Sequence, residues 1–179
     1  MKKQIPTPTS SAAGRKPDVP MYWLFKSEPD VFSWDMLVAR GAKGEPWTGV
    51  RNYLARNQMR AMQVGDLGFF YHSNIGKEIV GVLRVSRTAY PEPGDATGKW
   101  ECVEVVAVRA LPKSVTLADV KADTALAEMA LVKSMRLSVQ PVTVAEWAYV
   151  CERGGLDANN ATPPKAQKPK AKAAEKSKA

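Results

Sequence analysis

The residues with the most distinctive chemistry lie at positions 47–58, where the sequence reads WTGVRNYLARNQ. Gly49 permits a tight backbone turn, and Asn52 suits a helix N-cap because its side-chain oxygen accepts a free backbone N–H. Arg51 would then stand where a loop becomes a helix, with its planar guanidinium able to reach a neighbouring cleft. Aromatic rings beside a fixed guanidinium suit the recognition of a flat polar ligand such as a nucleobase. In the alternative, structural interpretation, Trp47 is a core residue and Arg51 forms a salt bridge.

The single histidine, His72, raises a catalytic hypothesis. A Ser-His-acid triad would draw on Ser27 or Ser73 with a nearby carboxylate, but the chain has no Gly-x-Ser-x-Gly elbow. One histidine and two scattered cysteines do not make a metal site, and no glycine-rich phosphate loop or dinucleotide fingerprint is present. We interpret His72 first as a hydrogen-bonded strand-end residue, second as a ligand contact and third as a catalytic group. The sequence thus predicts no catalytic residue, no metal and no cofactor.

Further polar side chains stand at the ends of apolar segments. Lys26 and Ser27 follow the first such segment, His72 and Ser73 follow the second, and residues 138–140 precede the last helical pattern. If these ends converge, they form a pocket with aromatic walls and a few hydrogen-bonding groups, which is the usual design of a small-ligand site.

The elements that would position these groups are short. Apolar and β-branched runs predict strands at 21–26, 67–72, 78–90 and 100–110. Helical spacing and N-cap signals predict helices at 34–38, 53–62, 116–121 and 143–151. Strands separated by short helices argue against a doubly wound sheet. They predict an α+β fold, a mixed β-barrel with short helices around it and across its ends.

Length and composition indicate one globular domain with two unusual ends. The chain has 179 residues, of which 45% are hydrophobic and 25% charged. No apolar run is long enough to cross a bilayer, and the first residues lack the apolar core of a secretory signal, so the cytoplasm or nucleoid is the expected compartment. We predict a disordered tail at 1–20, a folded domain at 21–156 and a disordered tail rich in Lys, Ala and Pro at 157–179.

The net charge of +8 belongs mostly to the predicted tails. Residues 1–20 hold four basic and one acidic side chain, and residues 157–179 hold six lysines against Asp157 and Glu175. Only +1 therefore remains for residues 21–156. The overall basicity predicts salt-sensitive attraction of the tails to nucleic acid, but it does not indicate a basic face on the folded domain.

An ordered series of motifs resembles one protein family. YWLFKSEP at 22–29, GVRNY at 49–53, VGD at 64–66, FFYHS at 69–73 and RLSVQPV at 136–142 occur in the order typical of the EVE domain family. The resemblance spans about residues 21–155. It implies a PUA-like fold, similar to YTH and ASCH domains. It also implies a binding module rather than an enzyme.

The function that the resemblance implies is the reading of a modified base, with modified cytosine in DNA favoured and RNA possible. Two alternatives stay open: an RNA-binding PUA-like domain without preference for modification, and an enzyme acting on a nucleotide-like small molecule. Nucleic acid is the expected partner, with no membrane and a monomeric state favoured. The candidate aromatic walls are Trp23, Trp34, Trp47, Tyr53 and Tyr71. The candidate contacts along the polar segments are Lys26, Ser27, Gly49, Val50, Arg51, Asn52, His72, Ser73, Ser138, Val139 and Gln140.

Overall fold

The computed structural model describes residues 21–161 as an α+β domain. The strands are β1 (Tyr22–Ser27), β2 (Glu45–Pro46), β3 (Leu67–His72), β4 (Glu78–Pro91), β5 (Glu101–Thr116) and β6 (Val139–Val142). The helices are α1 (Trp34–Arg40), α2 (Tyr53–Ala61), α3 (Leu117–Ala122), α4 (Ala130–Lys133) and α5 (Val144–Arg153). Single 3-10 turns occur at Gly41–Lys43, Thr124–Leu126 and Ala158–Asn160.

All six strands belong to one mixed sheet, in the order β2-β5-β4-β3-β1-β6. β1 runs parallel to β3, and the other neighbouring pairs are antiparallel. The predicted α+β class with a mixed sheet is confirmed. However, β2 and β6 do not pair, so the sheet of the described residues stays open rather than closing into a complete barrel.

Each face of the sheet carries a separate core because neighbouring side chains on a strand point in opposite directions. In β1, Leu24 belongs to a cluster that includes Trp147 of α5, whereas Trp23 and Phe25 belong to a second cluster with α1 and α2. β3 divides in the same way, with Phe69 in the first cluster and Phe70 in the second. The second cluster includes Trp47 and Val50, which belong to the chemically distinctive segment at 47–58.

The predicted helix starts are confirmed by their caps. Asn52 accepts the N–H of Ala55, and Ser33 accepts that of Met36. Thr116 and Thr143 each form a capping box with the acidic residue three positions later. Local side-chain chemistry therefore determines where these helices begin.

Strand β5 is buried on both of its sides. Val103 and Val105 belong to the second core cluster with Ala107 packed against it, while Cys102 and Val106, which alternate with them, are also buried. The pairing of β5 with β4 also shifts register at several points, which the sequence pattern does not reveal. The strand also continues to Thr116, six residues beyond the predicted end at 110.

Two further boundaries differ from the prediction. The predicted loop at 41–46 contains the short strand β2, whose Glu45 pairs with Val105. A 3-10 turn at Ala158–Asn160 and the buried Ala161 lie beyond the predicted domain end at 156, and Ala161 belongs to the same core cluster as Leu156. The predicted tails otherwise lie outside the described residues.

Candidate functional site

A cavity of about 360 Å³ opens beside the second core cluster. Its walls come from the end of β1, the following turn, α1, the segment 45–50 and one residue before β6. The lining residues are Lys26, Ser27, Val31, Phe32, Met36, Arg40, Glu45, Pro46, Trp47, Thr48, Gly49, Val50 and Ser138. This size and mixture of aromatic and polar groups suit a small ligand.

The pairing of β1 with β6 brings Ser138 to the cavity. Phe25 lies opposite Val139, and one step further the Lys26 N–H donates to the Ser138 carbonyl at 2.9 Å. The Ser27 hydroxyl donates to the Phe32 carbonyl at 2.8 Å and closes the turn after β1. The convergence of these two chain segments thus follows from sheet pairing.

Lys26 brings a half-buried ammonium group to the cavity wall. Its Nζ donates to the Met135 carbonyl at 3.0 Å and lies 5.9 Å from the centre of the Tyr71 ring. Burial lowers the pKa of Lys26 to about 8, because the surroundings disfavour the charged form. The amine is therefore charged at pH 7 and titrates not far above it.

Trp47 is both a core residue and part of the cavity wall. It is only 7% exposed, and Phe25, Phe32 and Phe70 make edge-on contacts with it at centroid distances of 5.1, 6.3 and 5.7 Å. Phe32 is half-buried and also lines the cavity. The two aromatic side chains give the cavity an apolar, polarizable wall.

An ion pair lies on another part of the lining. Arg40 Nε is 2.7 Å from Glu45 Oε2, and the Glu45 side chain is 25% exposed. Arg40 is the last residue of α1, and Glu45 opens β2. The loop between them includes Gly44, where a Cβ would lie 2.7 Å from the Val105 carbonyl oxygen, so the chain passes too close to β5 for a side chain.

Arg51 lies outside the cavity lining and binds Glu92 instead. Its two terminal nitrogens contact the two carboxylate oxygens at 3.0 and 2.7 Å. Glu92 Oε2 also accepts the Gly49 N–H at 3.2 Å. The hydrogen bond from Arg51 lowers the pKa of the Glu92 carboxyl. These contacts match the structural interpretation of Arg51, and they tie the cavity segment to the loop after β4.

Two neighbours of Arg51 also lie outside the lining. Asn52 uses its side-chain oxygen as the cap of α2, with 3.0 Å to the Ala55 nitrogen. Tyr53 is 55% exposed and stacks on Trp100 at a centroid distance of 5.1 Å. Both residues therefore have local partners of their own.

His72 is a partner of helix α1. Its Nε2 accepts the Trp34 N–H at 3.1 Å, and that N–H lies in the first turn, where helix donors lack intrahelical acceptors. Burial lowers the pKa of His72, which favours the neutral ring that this hydrogen bond requires. The Trp34 ring packs over Gly81, where a Cβ would come within 2.5 Å of it. Neither residue lines the cavity.

The remaining predicted site residues serve the sheet and its connections. Trp23 is buried, with its indole N–H donating to Asp66 at 3.0 Å. The Gln140 amide donates to the carbonyls of Ser134 and Leu137, both at 2.9 Å. Tyr71 and Val139 are buried in the two core clusters, and the Ser73 N–H donates to the Ser27 carbonyl.

The cavity thus brings together only part of the predicted set: Lys26, Ser27, Trp47, Gly49, Val50 and Ser138. It adds residues that the sequence analysis missed: Val31, Phe32, Met36, Arg40, Glu45, Pro46 and Thr48. A usable signal existed for Glu45, because it precedes Trp47 by two positions and would share its side of an extended segment. No comparable signal pointed to Met36 or Arg40. Whether the predicted residues bind a ligand stays a prediction.

Within residues 21–161, no group of three or more His, Cys, Asp or Glu side chains is placed to hold a metal ion. The same part of the chain contains no helix with the length and apolarity needed to cross a membrane.

The fold and cavity together define an α+β domain with a site of small-ligand size. Residues 21–153 match the EVE domain, and the chain belongs to the EVE domain family. Human thymocyte nuclear protein 1 is 32% identical over 177 residues, covering 81% of this chain and 79% of that protein.

Solved structures agree with this assignment. The crystal structure of a protein from Agrobacterium tumefaciens is 54% identical, with a TM-score of 0.76 over 80% of this chain and 99% of that chain. The crystal structure of human thymocyte nuclear protein 1 in complex with 5-methylcytosine-containing DNA is 34% identical, with a TM-score of 0.69 over 75% of this chain and 97% of that chain. The predicted PUA-like fold and the family resemblance are confirmed.

Proposed function

We propose that this protein reads a modified base in nucleic acid, with a modified cytosine in DNA as the favoured ligand, by holding the base in the cavity beside Trp47 and Phe32. The observation that carries the proposal is a cavity with an aromatic wall and a few polar groups, in a member of the EVE domain family. The human relative in complex with 5-methylcytosine-containing DNA supports the choice of ligand.

Binding of this kind begins with a base outside its stack. Extruding a base from a duplex costs a few kcal/mol, and a single strand avoids part of that cost. Stacking on an aromatic side chain returns about 1–3 kcal/mol per base. In this chain Trp47 and Phe32 would supply the stacking surface, and the polar groups at Lys26, Ser27 and Ser138 would hold the edge of the base.

The alternative of an enzyme gains no specific support from the site. Its one histidine candidate, His72, lies outside the cavity lining and already accepts the Trp34 N–H. We therefore propose that the protein binds its ligand without catalysing a reaction. A protein that binds nucleic acid must share a compartment with it, so we place this protein in the cytoplasm or nucleoid.

The deciding experiment compares one oligonucleotide carrying 5-methylcytosine with its unmodified form, as single strand and as duplex, by fluorescence anisotropy. The wild-type protein should prefer the modified form, and Phe32→Ala should weaken its binding about tenfold by removing stacking. Val38→Ala is the control, because Val38 is 50% exposed on α1 and outside the cavity lining. Equal affinity for both forms would instead favour the general nucleic-acid-binding alternative.

A further inference from the structure

We propose that the carboxylate of Glu45 selects a base with an exocyclic amino group, such as cytosine and its 5-methyl form, and rejects one with a carbonyl at the same position, such as thymine. The inference rests on the proposed function and concerns the same cavity. It assigns a specificity-determining role to a residue that the sequence motifs did not single out.

Glu45 is the only acidic residue in the lining of this cavity. Arg40 contacts its Oε2 at 2.7 Å, and the Glu45 side chain is 25% exposed. The other side-chain polar groups of the lining are ammonium, guanidinium, hydroxyl and indole N–H groups, from Lys26, Arg40, Ser27, Thr48, Ser138 and Trp47. Glu45 is therefore the one strong side-chain hydrogen-bond acceptor of the lining that carries no donor hydrogen.

The position of Glu45 relative to Trp47 suits the reading of a stacked base. Glu45 and Pro46 pair with Val105 and Glu104, and the Trp47 N–H continues the ladder by donating to the Val103 carbonyl at 2.8 Å. Residues two apart on an extended strand point to the same side, roughly 6.6 Å from each other. A ring packed against the Trp47 wall thus has its edge within reach of the Glu45 carboxylate.

The chemistry of a carboxylate separates amino bases from keto bases. An ionised Glu accepts a hydrogen bond from the N4 amino group of cytosine, and this is its usual contact with that base. When thymine occupies the site, its O4 carbonyl faces the Glu45 carboxylate. Both groups are hydrogen-bond acceptors, so the carboxylate oxygen loses water without gaining a hydrogen bond. The two oxygens of a carboxylate offer about four acceptor sites, so Glu45 can pair with Arg40 and still accept a hydrogen bond from a ligand.

The test uses three single strands that differ at one position: 5-methylcytosine, thymine and cytosine. 5-Methylcytosine and thymine share the ring and the 5-methyl group but differ at the 4-position and at N3, so their affinity ratio isolates the polar edge. Wild type should prefer 5-methylcytosine to thymine by about tenfold or more. Glu45→Gln should bring that ratio to within about threefold, because an amide both donates and accepts.

Glu128→Gln is the matched control, because it makes the same change at a side chain that is 84% exposed and lies outside the cavity lining. This variant should retain the preference for 5-methylcytosine over thymine. Thermal unfolding of both variants shows that they are folded, and Glu45→Asp, which keeps the acceptor, should restore part of the preference if Glu45→Gln is unstable.

The outcomes separate this inference from the proposed function. If Glu45→Gln keeps the full preference for 5-methylcytosine over thymine, the proposed role of Glu45 is wrong. If it also still prefers 5-methylcytosine to cytosine, the proposed reader function is not affected. A wild-type protein that binds thymine as well as 5-methylcytosine also overturns it. Binding of none of the three strands overturns both proposals.

Discussion

The guanidinium of Arg51 and the carboxylate of Glu92 form a two-point contact, with Nη1–Oε2 and Nη2–Oε1 distances of 3.0 and 2.7 Å. Glu92 is largely buried, whereas Arg51 is about half exposed. Because the same carboxylate accepts the Gly49 N–H, the pair holds the cavity segment against the loop after β4. Arg51 is thus a positioning residue for the cavity.

Glu92→Gln should therefore loosen the cavity segment without removing any lining residue. We expect faster hydrogen exchange at the Gly49 amide and several-fold weaker binding of the preferred oligonucleotide, because the charge-assisted contacts are replaced by weaker ones. Arg87→Gln is the control, since it breaks the exposed pair of Arg87 with Glu104. Unchanged exchange at Gly49 in Glu92→Gln would contradict the positioning role.

The same pair predicts a dependence on acid. Arg51 lowers the pKa of Glu92 in the folded state, so the stabilisation is fully present above the usual glutamate pKa and disappears as pH falls through the lowered value. Unfolding measured from pH 6 downwards should show this loss in wild type. Glu92→Gln should show a shallower acid dependence, and identical profiles would exclude a contribution from this carboxylate.

Trp47→Ala should cost about 3–5 kcal/mol of stability, because the side chain is nearly buried among Phe25, Phe32 and Phe70. Trp47→Phe keeps a ring in the wall and is the better variant for binding studies. Trp100→Ala is a control outside the cavity lining and should be milder, since Trp100 is only partly buried. A Trp47→Ala protein with wild-type stability would mean that Trp47 does not support the core.

Binding should weaken as pH rises through about 8, because Lys26 loses its charge there and an ammonium near an anionic ligand is favourable. Folding stability has the opposite pH dependence to binding. Because the pKa of Lys26 is lower in the folded state than in the unfolded state, the free energy of unfolding increases as pH rises above about 8. Lys26→Arg should remove this pH step in affinity between pH 7 and 9. A step of equal size in Lys26→Arg would assign it to another group.

His72 should titrate below its ordinary pKa of about 6.5, because burial favours the neutral ring. It is the only histidine, so its imidazole signals in an NMR titration need no assignment against others. Stability from the Trp34–His72 contact is present above pH 6.5 and is lost as pH falls through the lowered pKa. A measured pKa above 6.5 would contradict the hydrogen bond to a neutral Nε2.

A chain restricted to residues 21–161 should unfold at nearly the same temperature as the full chain. The boundary is set at 161 because Leu156 and Ala161 are buried in the core. Residues 1–20 and 162–179 carry +3 and +5, so the shortened chain should show a smaller salt dependence of nucleic-acid binding with its base preference retained. An unchanged salt slope would reveal a basic face on the folded domain.

The local features of this protein can be predicted from its sequence. Residues 67–72 read as a strand and form one with the same bounds, and Asn52 and Thr143 read as caps and act as caps. These features depend on side chains that bond to their own backbone or on a continuous apolar run, so the chain order contains the necessary information. The family motifs added the fold, because their order spans nearly all of the described domain.

Which polar groups contact one another depends on the complete fold. From the sequence, Arg51 is either a ligand contact or a salt-bridge residue, and the fold places Glu92 of the β4–β5 loop against it. His72 is predicted first as a hydrogen-bonded strand-end residue, and the fold supplies its partner, the Trp34 N–H. Ser138 reaches Lys26 through the pairing of β6 with β1, and Glu45 is placed beside the cavity by the pairing of β2 with β5. Such contacts join segments far apart in the chain, and their geometry depends on register and bulges that no local pattern encodes.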